Sequence, residues 1–392
     1  MSLIFIFTAE KLFFHLCRNL FAMTIAVLGA GMVGRAIALD LAATFTVTSF
    51  DVNAQNLLLL QQHSATIKTQ VADLRNTAAY NSLLSGFDLV VTAVPGFMGF
   101  ETLKAVIDAG KNVVDISFFP EDALQLDALA KEKNVTAIVD CGVAPGMSNW
   151  IIGRYNAEMK IDAFEIYVGG LPLHPQPPFL YKAPFSPIDV IEEYTRPARL
   201  KENGTLVIKP ALTDRKLMQF EAVGTLEAFN TDGLRSLLYT MPHIPTQIEQ
   251  TLRYPGHVDL IIALQQAGFF SEEKQMVDGK EISPLRVTSK LLIDQWKLGE
   301  TEEELTVMKV LLHGEGKTIE YDLLDKYDAA TQTSSMARTT GYTCAAAVQL
   351  LAQNLFKEKG VFPPELIGHR KDCFDFVLHY LQQRSVHWKK KN

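Results

Sequence analysis

Three glycines near the start of the chain have the types and spacing needed to bind a phosphate group. Gly29, Gly31 and Gly34 form the pattern G-x-G-x-x-G between an apolar run, residues 24–28, and a helical stretch. Gly29 permits the tight turn out of the strand, Gly31 lets a pyrophosphate approach the backbone, and Gly34 lets the helix pack closely on the strand. The free N–H groups and the dipole of the helix start favour phosphate charge. The pattern predicts a dinucleotide site at Gly29, Ala30, Gly31, Met32, Val33 and Gly34.

An acidic residue follows the second apolar run. Asp51 lies 22 residues after Gly29, at the end of residues 45–50. A carboxylate there can accept hydrogen bonds from the adenosine ribose hydroxyls, and it would repel the additional phosphate of NADP. We therefore expect NAD, with NADP less favoured. FAD is a lesser alternative, and the glycines of a Rossmann-like domain can also serve only to pack a helix on a sheet. Asp73 is expected beside the adenine, a position that a plain loop aspartate fits equally well.

Strands and helices alternate from the glycine motif to residue 139. The predicted strands are residues 24–28, 45–50, 66–71, 88–94, 112–116 and 135–139, and the predicted helices are residues 55–62, 76–84, 98–109 and 121–133. Regular alternation of this kind predicts an α/β fold with a Rossmann doubly wound parallel sheet. The nicotinamide half should pass the carboxyl edge of the sheet, at Ala93, Val94, Pro95 and Ser117.

The pattern changes after Asp140. Predicted helices at residues 149–159, 258–268 and 284–296 are mixed with predicted strands at 163–168, 206–208, 217–223, 307–313 and 318–323, and residues 173–187 read as a proline-rich loop. We expect a second α+β domain, inserted before a C-terminal helix from Ser334 that returns to the first domain, with a cleft between the two. The expected divisions are residues 1–22, 23–145, 146–330 and 331–392.

Composition limits the classes of function. The net charge of −7 argues against a nucleic-acid-binding surface. The four cysteines are far apart and lack metal-type spacing, so we expect free thiols in a reducing, cytoplasmic compartment and no metal site. Residues 1–22 are apolar but interrupted by charges, which favours an upstream start codon or a loosely attached helix. A membrane anchor is the alternative for this extension, and we expect no other spanning segment.

Six longer motifs lie between residues 94 and 257. They are VPGFMGF at 94–100, DCGVAPGMSN at 140–149, VGGLP at 168–172, IEEYTRPAR at 191–199, TDGLRS at 231–236 and TLRYPGH at 251–257. In these motifs the chain resembles the saccharopine dehydrogenase-like oxidoreductases, and within them the L-lysine 6-dehydrogenase branch, from Met23 to the C-terminus. One position differs from the glutamate-forming saccharopine dehydrogenases: Ala144 stands where they usually carry an aspartate, which favours the lysine dehydrogenase branch.

The resemblance implies a reaction as well as a fold. It implies hydride transfer to NAD from a carbon that bears nitrogen, and for lysine the imine is then hydrolysed to ammonia and the 6-semialdehyde. Alternatives are a saccharopine or carboxynorspermidine dehydrogenase, which acts on a secondary amine, and a non-catalytic NAD(H)-binding sensor. The family also suggests a homodimer that acts on a small amino acid.

Such a reaction needs a base near the amine and a cation for the carboxylate. His257 is the first candidate for the base and Asp140 the second, although either could cap or pack a helix instead. Arg235 and Arg253 are candidates to bind the carboxylate, or else form ion pairs, and Arg196 is weaker. Tyr167 and Lys182 could line the cleft, although Tyr167 also fits a strand core. Hydride transfer needs no thiol nucleophile, so we interpret Cys141 as a small buried residue.

Overall fold

The computed structural model describes residues 23–391. The predictions for residues 1–22 therefore lie outside the described residues. Within the described range, no helix is long and apolar enough to cross a membrane.

The first sheet contains seven strands, and the predicted parallel Rossmann sheet is confirmed. The strands are β1 (Thr24–Leu28), β2 (Thr46–Asp51), β3 (Lys68–Val71), β4 (Leu89–Thr92), β5 (Asn112–Asp115), β6 (Thr136–Ile138) and β17 (Gly360–Phe362). Their order is β17-β6-β5-β4-β1-β2-β3, and every neighbouring pair is parallel. Because strands of a parallel sheet are buried on both faces, β1 and β4 are continuous apolar runs. The sequence did not predict β17, which is only three residues long.

Helices connect these strands on both faces of the sheet. They are α1 (Met32–Leu41), α2 (Ala54–His63), α3 (Tyr80–Leu83), α4 (Gly96–Asp108) and α5 (Asp127–Glu132). The helix predicted at residues 121–133 is shorter than expected, because the Asp122 side chain accepts a hydrogen bond from the Leu124 N–H and starts a separate 3-10 turn.

The second sheet is mixed and contains nine strands. They are β7 (Ala163–Pro172), β8 (Ala198–Glu202), β9 (Thr205–Lys209), β10 (Lys216–Phe220), β11 (Gly224–Asn230), β12 (Thr246–Arg253), β15 (Glu304–Gly314), β16 (Lys317–Lys326) and β18 (Trp388–Lys391). The main path is β10-β11-β12-β7-β15-β16-β18, and β8 and β9 extend from β12. The sequence did not predict β12, because this buried strand carries polar residues such as Gln247 and Glu249 where a core strand is usually apolar.

The remaining helices complete the second part of the molecule and the C-terminus. They are α6 (Met147–Asn156), α7 (Pro187–Thr195), α8 (Leu237–Thr240), α9 (His257–Gln266), α10 (Pro284–Trp296), α11 (Ser335–Ala352), α12 (Pro364–Gly368) and α13 (Lys371–Gln383), with a small hairpin of β13 (Gln275–Val277) and β14 (Lys280–Ile282).

The C-terminal region returns to the first sheet, as predicted. α11 packs against α1, where a Cβ atom added to Gly341 would lie 3.2 Å from Cγ1 of Ile37. Tyr380 and Arg384 both bind the carboxylate of Asp40 on α1. The two sheets are therefore held together by helices as well as by the chain crossing after β6.

Candidate active site

A cavity of about 980 Å³ lies along the carboxyl edge of the first sheet and extends to β7 and β12 of the second sheet. This volume is at the upper end of the roughly 300–1,000 Å³ of small-molecule and cofactor sites. We call this cavity the cleft. It joins the glycine motif to a cluster of charged side chains on α7 and β12.

The glycine motif forms one end of the cleft. A Cβ atom on Gly29 would lie 2.2 Å from the Ala93 carbonyl oxygen, and one on Gly34 would lie 2.1 Å from the Gly29 carbonyl oxygen. A Cβ atom on Gly31 would meet nothing within 4 Å. Gly31 is also the N-cap residue of α1, and as a glycine it has no side chain to occupy the helix N-terminus. Two glycines therefore allow close packing, and the third leaves open backbone beside a helix N-terminus, an arrangement that fits a pyrophosphate.

Asp51 lies at the end of β2 and lines the cleft beside this loop. Its Oδ2 accepts hydrogen bonds from the Ala30 N–H at 2.8 Å and from Nδ2 of Asn56 at 3.2 Å. Its Oδ1 accepts from the Asn53 N–H at 2.8 Å. Asp51 therefore fixes the glycine loop. It also lines the part of the cleft that is predicted to hold the adenosine, which we call the adenosine end. Ala30 is fully buried and its N–H is already bound, so this N–H does not point at a phosphate.

Asp73 follows β3 and also lines the cleft. Nε and Nη2 of Arg75 donate to its two carboxylate oxygens at 2.9 and 2.8 Å. These hydrogen bonds lower the pKa of Asp73 to about 2. The adenosine end of the cleft thus carries two carboxylates and an exposed guanidinium that is already paired with one of them.

The middle of the cleft is lined by residues at the ends of β4 and β5. Ala93, Val94, Pro95 and Ser117 all face it, together with Met32 and Val33 of the glycine motif. The structure thus brings the cofactor candidates that follow β1 to β5 to one edge of the sheet, and among these candidates Ala30 does not line the cleft.

Asp140 and Arg235 form an ion pair that is almost completely buried. Nε of Arg235 donates to Oδ1 of Asp140 at 2.7 Å, and the side chains are 5% and 3% exposed. The guanidinium also donates to the Phe119 carbonyl and lies over the Phe118 ring, 5.0 Å from its centroid. Asp140 lines the cleft, whereas Arg235 lies behind it. The pair links the end of β6 to the segment before α8, and Arg235 does not line the cleft.

Arg253, at the end of β12, lines the cleft. Its Nε donates to Tyr194 Oη at 3.0 Å, and its Nη1 donates to the Leu252 carbonyl at 3.0 Å. Its Nη2 donates to Tyr181 Oη at 3.3 Å and to Oε2 of Glu193 at 3.2 Å. These four contacts occupy four of the five N–H groups of the Arg253 side chain, so a bidentate carboxylate clamp requires displacement of a protein acceptor.

His257 is the first residue of α9, not a loop residue, and its side chain is fully buried. Its Nδ1 lies 2.8 Å from the Phe179 carbonyl, and its Nε2 lies 2.9 Å from Tyr194 Oη. Burial and the charge of Arg253 lower the pKa of His257 to about 3. Because the carbonyl can only accept, Nδ1 carries the proton and Nε2 accepts from Tyr194. His257 therefore lies behind Tyr194 and does not line the cleft.

The other two substrate candidates also lie away from the cleft. The Tyr167 hydroxyl contacts Glu165 and Lys216 on the opposite face of β7, within a separate apolar cluster. Nζ of Lys182 donates to the Gln295 carbonyl at 2.9 Å. Cys141 is fully buried, and burial raises the pKa of its thiol, which fits a packing residue.

The sequence interpretation missed three carboxylates on the cleft wall, which we call the acidic end: Asp189 and Glu193 on α7, and Glu249 on β12. Burial raises the pKa of Asp189 to about 6 and that of Glu193 to about 7. Burial and the neighbouring Glu193 raise the pKa of Glu249 well above its ordinary value. The sequence contained a signal for Asp189 and Glu193, because residues four apart on a helix share one face and two acids spaced in this way predict an acidic helix surface.

Two family models together cover almost the whole described chain. The Saccharopine dehydrogenase NADP binding domain matches residues 25–138, and the Saccharopine dehydrogenase C-terminal domain matches residues 142–386. The first model contains the glycine motif and the first sheet up to β6. The second contains the acidic end and Arg253.

Curated relatives carry related names. The chain is 27% identical over 268 residues to the saccharopine dehydrogenase [NADP(+), L-glutamate-forming] of Pyricularia oryzae, covering 64% of this chain and 59% of the relative. It is 26% identical over 217 residues to the mitochondrial alpha-aminoadipic semialdehyde synthase of Rattus norvegicus, covering 52% of this chain and 23% of the relative. The alignments thus span less than two thirds of either relative.

A solved structure has the same fold along its whole length. Apo saccharopine dehydrogenase (L-Glu forming) from Saccharomyces cerevisiae superimposes with a TM-score of 0.76, covering 95% of this chain and 100% of that one. The two are 19% identical in sequence, so this likeness concerns the fold. With both family models matched across the glycine motif, the cleft and the second sheet, the chain belongs to the saccharopine dehydrogenase family.

Proposed function

We propose that the protein is a nicotinamide-dependent dehydrogenase that oxidises a carbon–nitrogen bond of an amino acid. The observation that carries the proposal is the continuity of the cleft, which runs from the glycine motif to Arg253 and the acidic end. A nicotinamide dinucleotide, when bound, supplies the hydride acceptor. The chain's own residues then have to orient the amino acid, hold its carboxylate and remove a proton from its nitrogen.

The proton has to leave because an ammonium has no lone pair to expel a hydride. A free lysine ammonium has a pKa of about 10.4, so a base is needed near neutral pH. We assign this role to Glu193, which faces the cleft with its pKa raised by burial to about 7. Loss of one proton from the substrate ammonium to Glu193, and of a hydride from the adjacent carbon to the nicotinamide, would convert the ammonium into an iminium. Addition of water then gives an aldehyde and ammonia.

Asp140 is the alternative base that the sequence suggested. It lines the cleft, but its Oδ1 is bound to Arg235 at 2.7 Å. This oxygen is therefore occupied within the protein and is not free to approach the substrate nitrogen. We assign Asp140 the role of holding the cleft wall. His257 we assign to positioning, because it fixes Tyr194, which in turn binds Arg253.

We propose NAD as the preferred cofactor. The family model and the Pyricularia oryzae relative have NADP in their names, which supports the phosphorylated form. This chain, however, has Asp51 and Asp73 at the adenosine end, and Arg75 is held by Asp73. Two carboxylates disfavour a 2′-phosphate by charge repulsion, and binding NADP would require Arg75 to leave its partner.

The favoured substrate is lysine, with oxidation at its 6-amino group. The second candidate is saccharopine, and the names of the curated relatives support it. A secondary amine of that kind carries more carboxylates, and each needs a cation. On the cleft wall, Arg35 is paired with Glu300 and Arg75 with Asp73. The cations left for a substrate are the exposed Lys297 and Arg253, which would exchange Glu193 for the substrate carboxylate. This count favours the substrate with one carboxylate.

The deciding experiment is NADH formation followed at 340 nm with the purified protein. Lysine, ornithine, saccharopine, carboxynorspermidine and simple diamines are supplied with NAD or NADP at mildly alkaline pH. We expect signal with lysine and NAD, together with ammonia release. Signal with saccharopine alone would establish the second candidate, and NADH binding without any turnover would favour a non-catalytic sensor.

We also propose a homodimer, as the family resemblance implies. Leu206 and Ile208 of β9 and Leu217 of β10 are each more than half exposed, which gives this side of the second sheet an apolar character. Light scattering after size-exclusion chromatography tests the proposal, and a mass of one chain at micromolar concentration would refute it.

A further inference from the structure

Glu249 has a carboxyl group in the cleft wall, close to the Gly233 backbone, and one of its two oxygens lacks a hydrogen-bond partner within the described chain. It is 5% exposed, and no donor in residues 23–391 reaches its Oε2 within hydrogen-bond distance. The carboxylate lies over Gly233, where an added Cβ atom would be 1.5 Å from Oε2. A larger residue at position 233 would therefore clash with the Glu249 side chain. A buried carboxyl oxygen without a partner is costly, and an ammonium bound in the cleft would satisfy it.

The neighbours of Glu249 are also acidic. Asp189 is 6% exposed and its Oδ1 likewise has no hydrogen-bond partner among the described residues. Glu193 lies close enough for its charge to raise the pKa of Glu249. Arg253 is the one guanidinium at this end that lines the cleft, and it is paired with Glu193. Arg196 is also near enough for its charge to lower the pKa of Asp189 and of Glu193, but it pairs with Glu192. Burial favours the neutral form of the three carboxyl groups, and a bound ammonium would favour their ionised form.

Resting on the proposed function, we infer that the acidic end selects an amino acid with two amino groups and a single carboxylate. Glu249 and Asp189 bind substrate ammonium, and the substrate carboxylate binds Arg253 by taking the place of Glu193. This exchange releases Glu193 toward the reacting amine. A dibasic amino acid thus satisfies each unpartnered group, whereas additional carboxylates would face Glu249 and Asp189 and be repelled.

The test compares isosteric variants of two buried glutamates. Glu249→Gln removes the charge in the cleft, and Glu304→Gln is the matched control. Glu304 is 1% exposed and has an unpartnered Oε2, but it does not line the cleft. Dissociation constants for lysine, 1,5-diaminopentane and glutarate are measured by calorimetry on the NADH complex, and KM is measured for every substrate that turns over.

We expect E249Q to weaken lysine and the diamine roughly 10-fold to 100-fold, the effect of losing a charge-assisted hydrogen bond. Glutarate affinity should stay the same or rise, and E304Q should match the wild type for all three ligands. Equal lysine affinity in E249Q and wild type would overturn the inference. So would tighter binding of glutarate than of the diamine to the wild type.

The outcome is separable from that of the proposed function. If no substrate turns over, the proposed dehydrogenase fails, yet charge-dependent diamine binding would still support the ammonium site. If turnover is present but insensitive to both E249Q and Asp189→Asn, the site is refuted and the dehydrogenase stands. Asp189→Asn carries the test if E249Q fails to fold, which NADH binding and the thermal midpoint reveal.

Discussion

Oε2 of Glu193 lies 3.2 Å from Nη2 of Arg253, and this ion pair joins α7 to β12 across the inner end of the cleft. The Arg253 side chain is 3% exposed and that of Glu193 is 16% exposed. Glu193 is thus the more accessible member of the pair. On the proposed function, the substrate carboxylate would compete with Glu193 for this guanidinium.

The first prediction concerns pH. The pKa of Glu193 is raised to about 7 by burial, with Arg253 opposing and Asp189 reinforcing the shift. Since the base must be ionised, kcat/KM should rise with pH through about 7 and lose this limb in Glu193→Gln. Because the protonated amine is the form that binds and gives its proton to Glu193, kcat/KM should fall again as the free substrate ammonium loses its proton near pH 10. The measurement is the pH profile of kcat/KM for both proteins.

His257 provides the contrast for this profile. Its pKa is lowered to about 3 and both ring nitrogens are bound within the protein. His257→Gln should therefore retain the limb near pH 7 while raising KM, because Tyr194 and Arg253 lose their support. Loss of the limb in this variant would identify His257 as the base instead.

The second prediction separates two glycines of one motif. A Cβ atom on Gly31 meets no atom within 4 Å, so Gly31→Ala should fold with an unchanged thermal midpoint but bind NADH at least about 10-fold more weakly. A Cβ atom on Gly34 lies 2.1 Å from the Gly29 carbonyl oxygen, so Gly34→Ala should lower the midpoint as well. Fluorescence titration and thermal unfolding of both variants provide the test. Wild-type affinity in Gly31→Ala would contradict the proposed path of the pyrophosphate.

The third prediction addresses cofactor choice. Asp51→Asn keeps an acceptor for the Ala30 N–H but removes the charge at the end of β2. The ratio of kcat/KM with NADP to that with NAD should increase roughly 10-fold, since a repulsive contact of about 1.4 kcal/mol is lost. Glu300→Gln is the control, because Glu300 is an exposed carboxylate of the same cleft that pairs with Arg35. A wild-type preference for NADP would refute the role given to Asp51.

The fourth prediction is structural. Arg235→Met leaves Asp140 as an unpaired buried carboxylate, which should lower the free energy of unfolding by about 3–5 kcal/mol. Arg370→Met removes an exposed pair with Asp372 and should cost less than about 1 kcal/mol. Urea unfolding at neutral pH measures both. Similar losses in the two variants would show that the Asp140–Arg235 pair contributes little to stability.

The sequence by itself determined six of the seven strands of the first sheet and the position of the dinucleotide motif. Local signals suffice there: apolar runs form buried strands, the glycines allow turns and close packing, and Asp51 follows directly from the end of β2. The hairpin of β15 and β16 was predicted from equally local features, namely two strand-like runs separated by a short turn. These features depend on backbone sterics and side-chain polarity within a few residues, which a linear pattern records.

Tertiary structure decided which polar residues face the cleft. Arg235 and Arg253 occur in similar motifs, yet Arg235 lies behind Asp140 and Arg253 lies on the wall. His257 is enclosed by residues distant in sequence. Glu249 lies on β12, a buried strand that its polar sequence did not predict. Exposure of a side chain depends on what the rest of the chain packs against it, and such long-range contacts leave no periodic trace in the sequence.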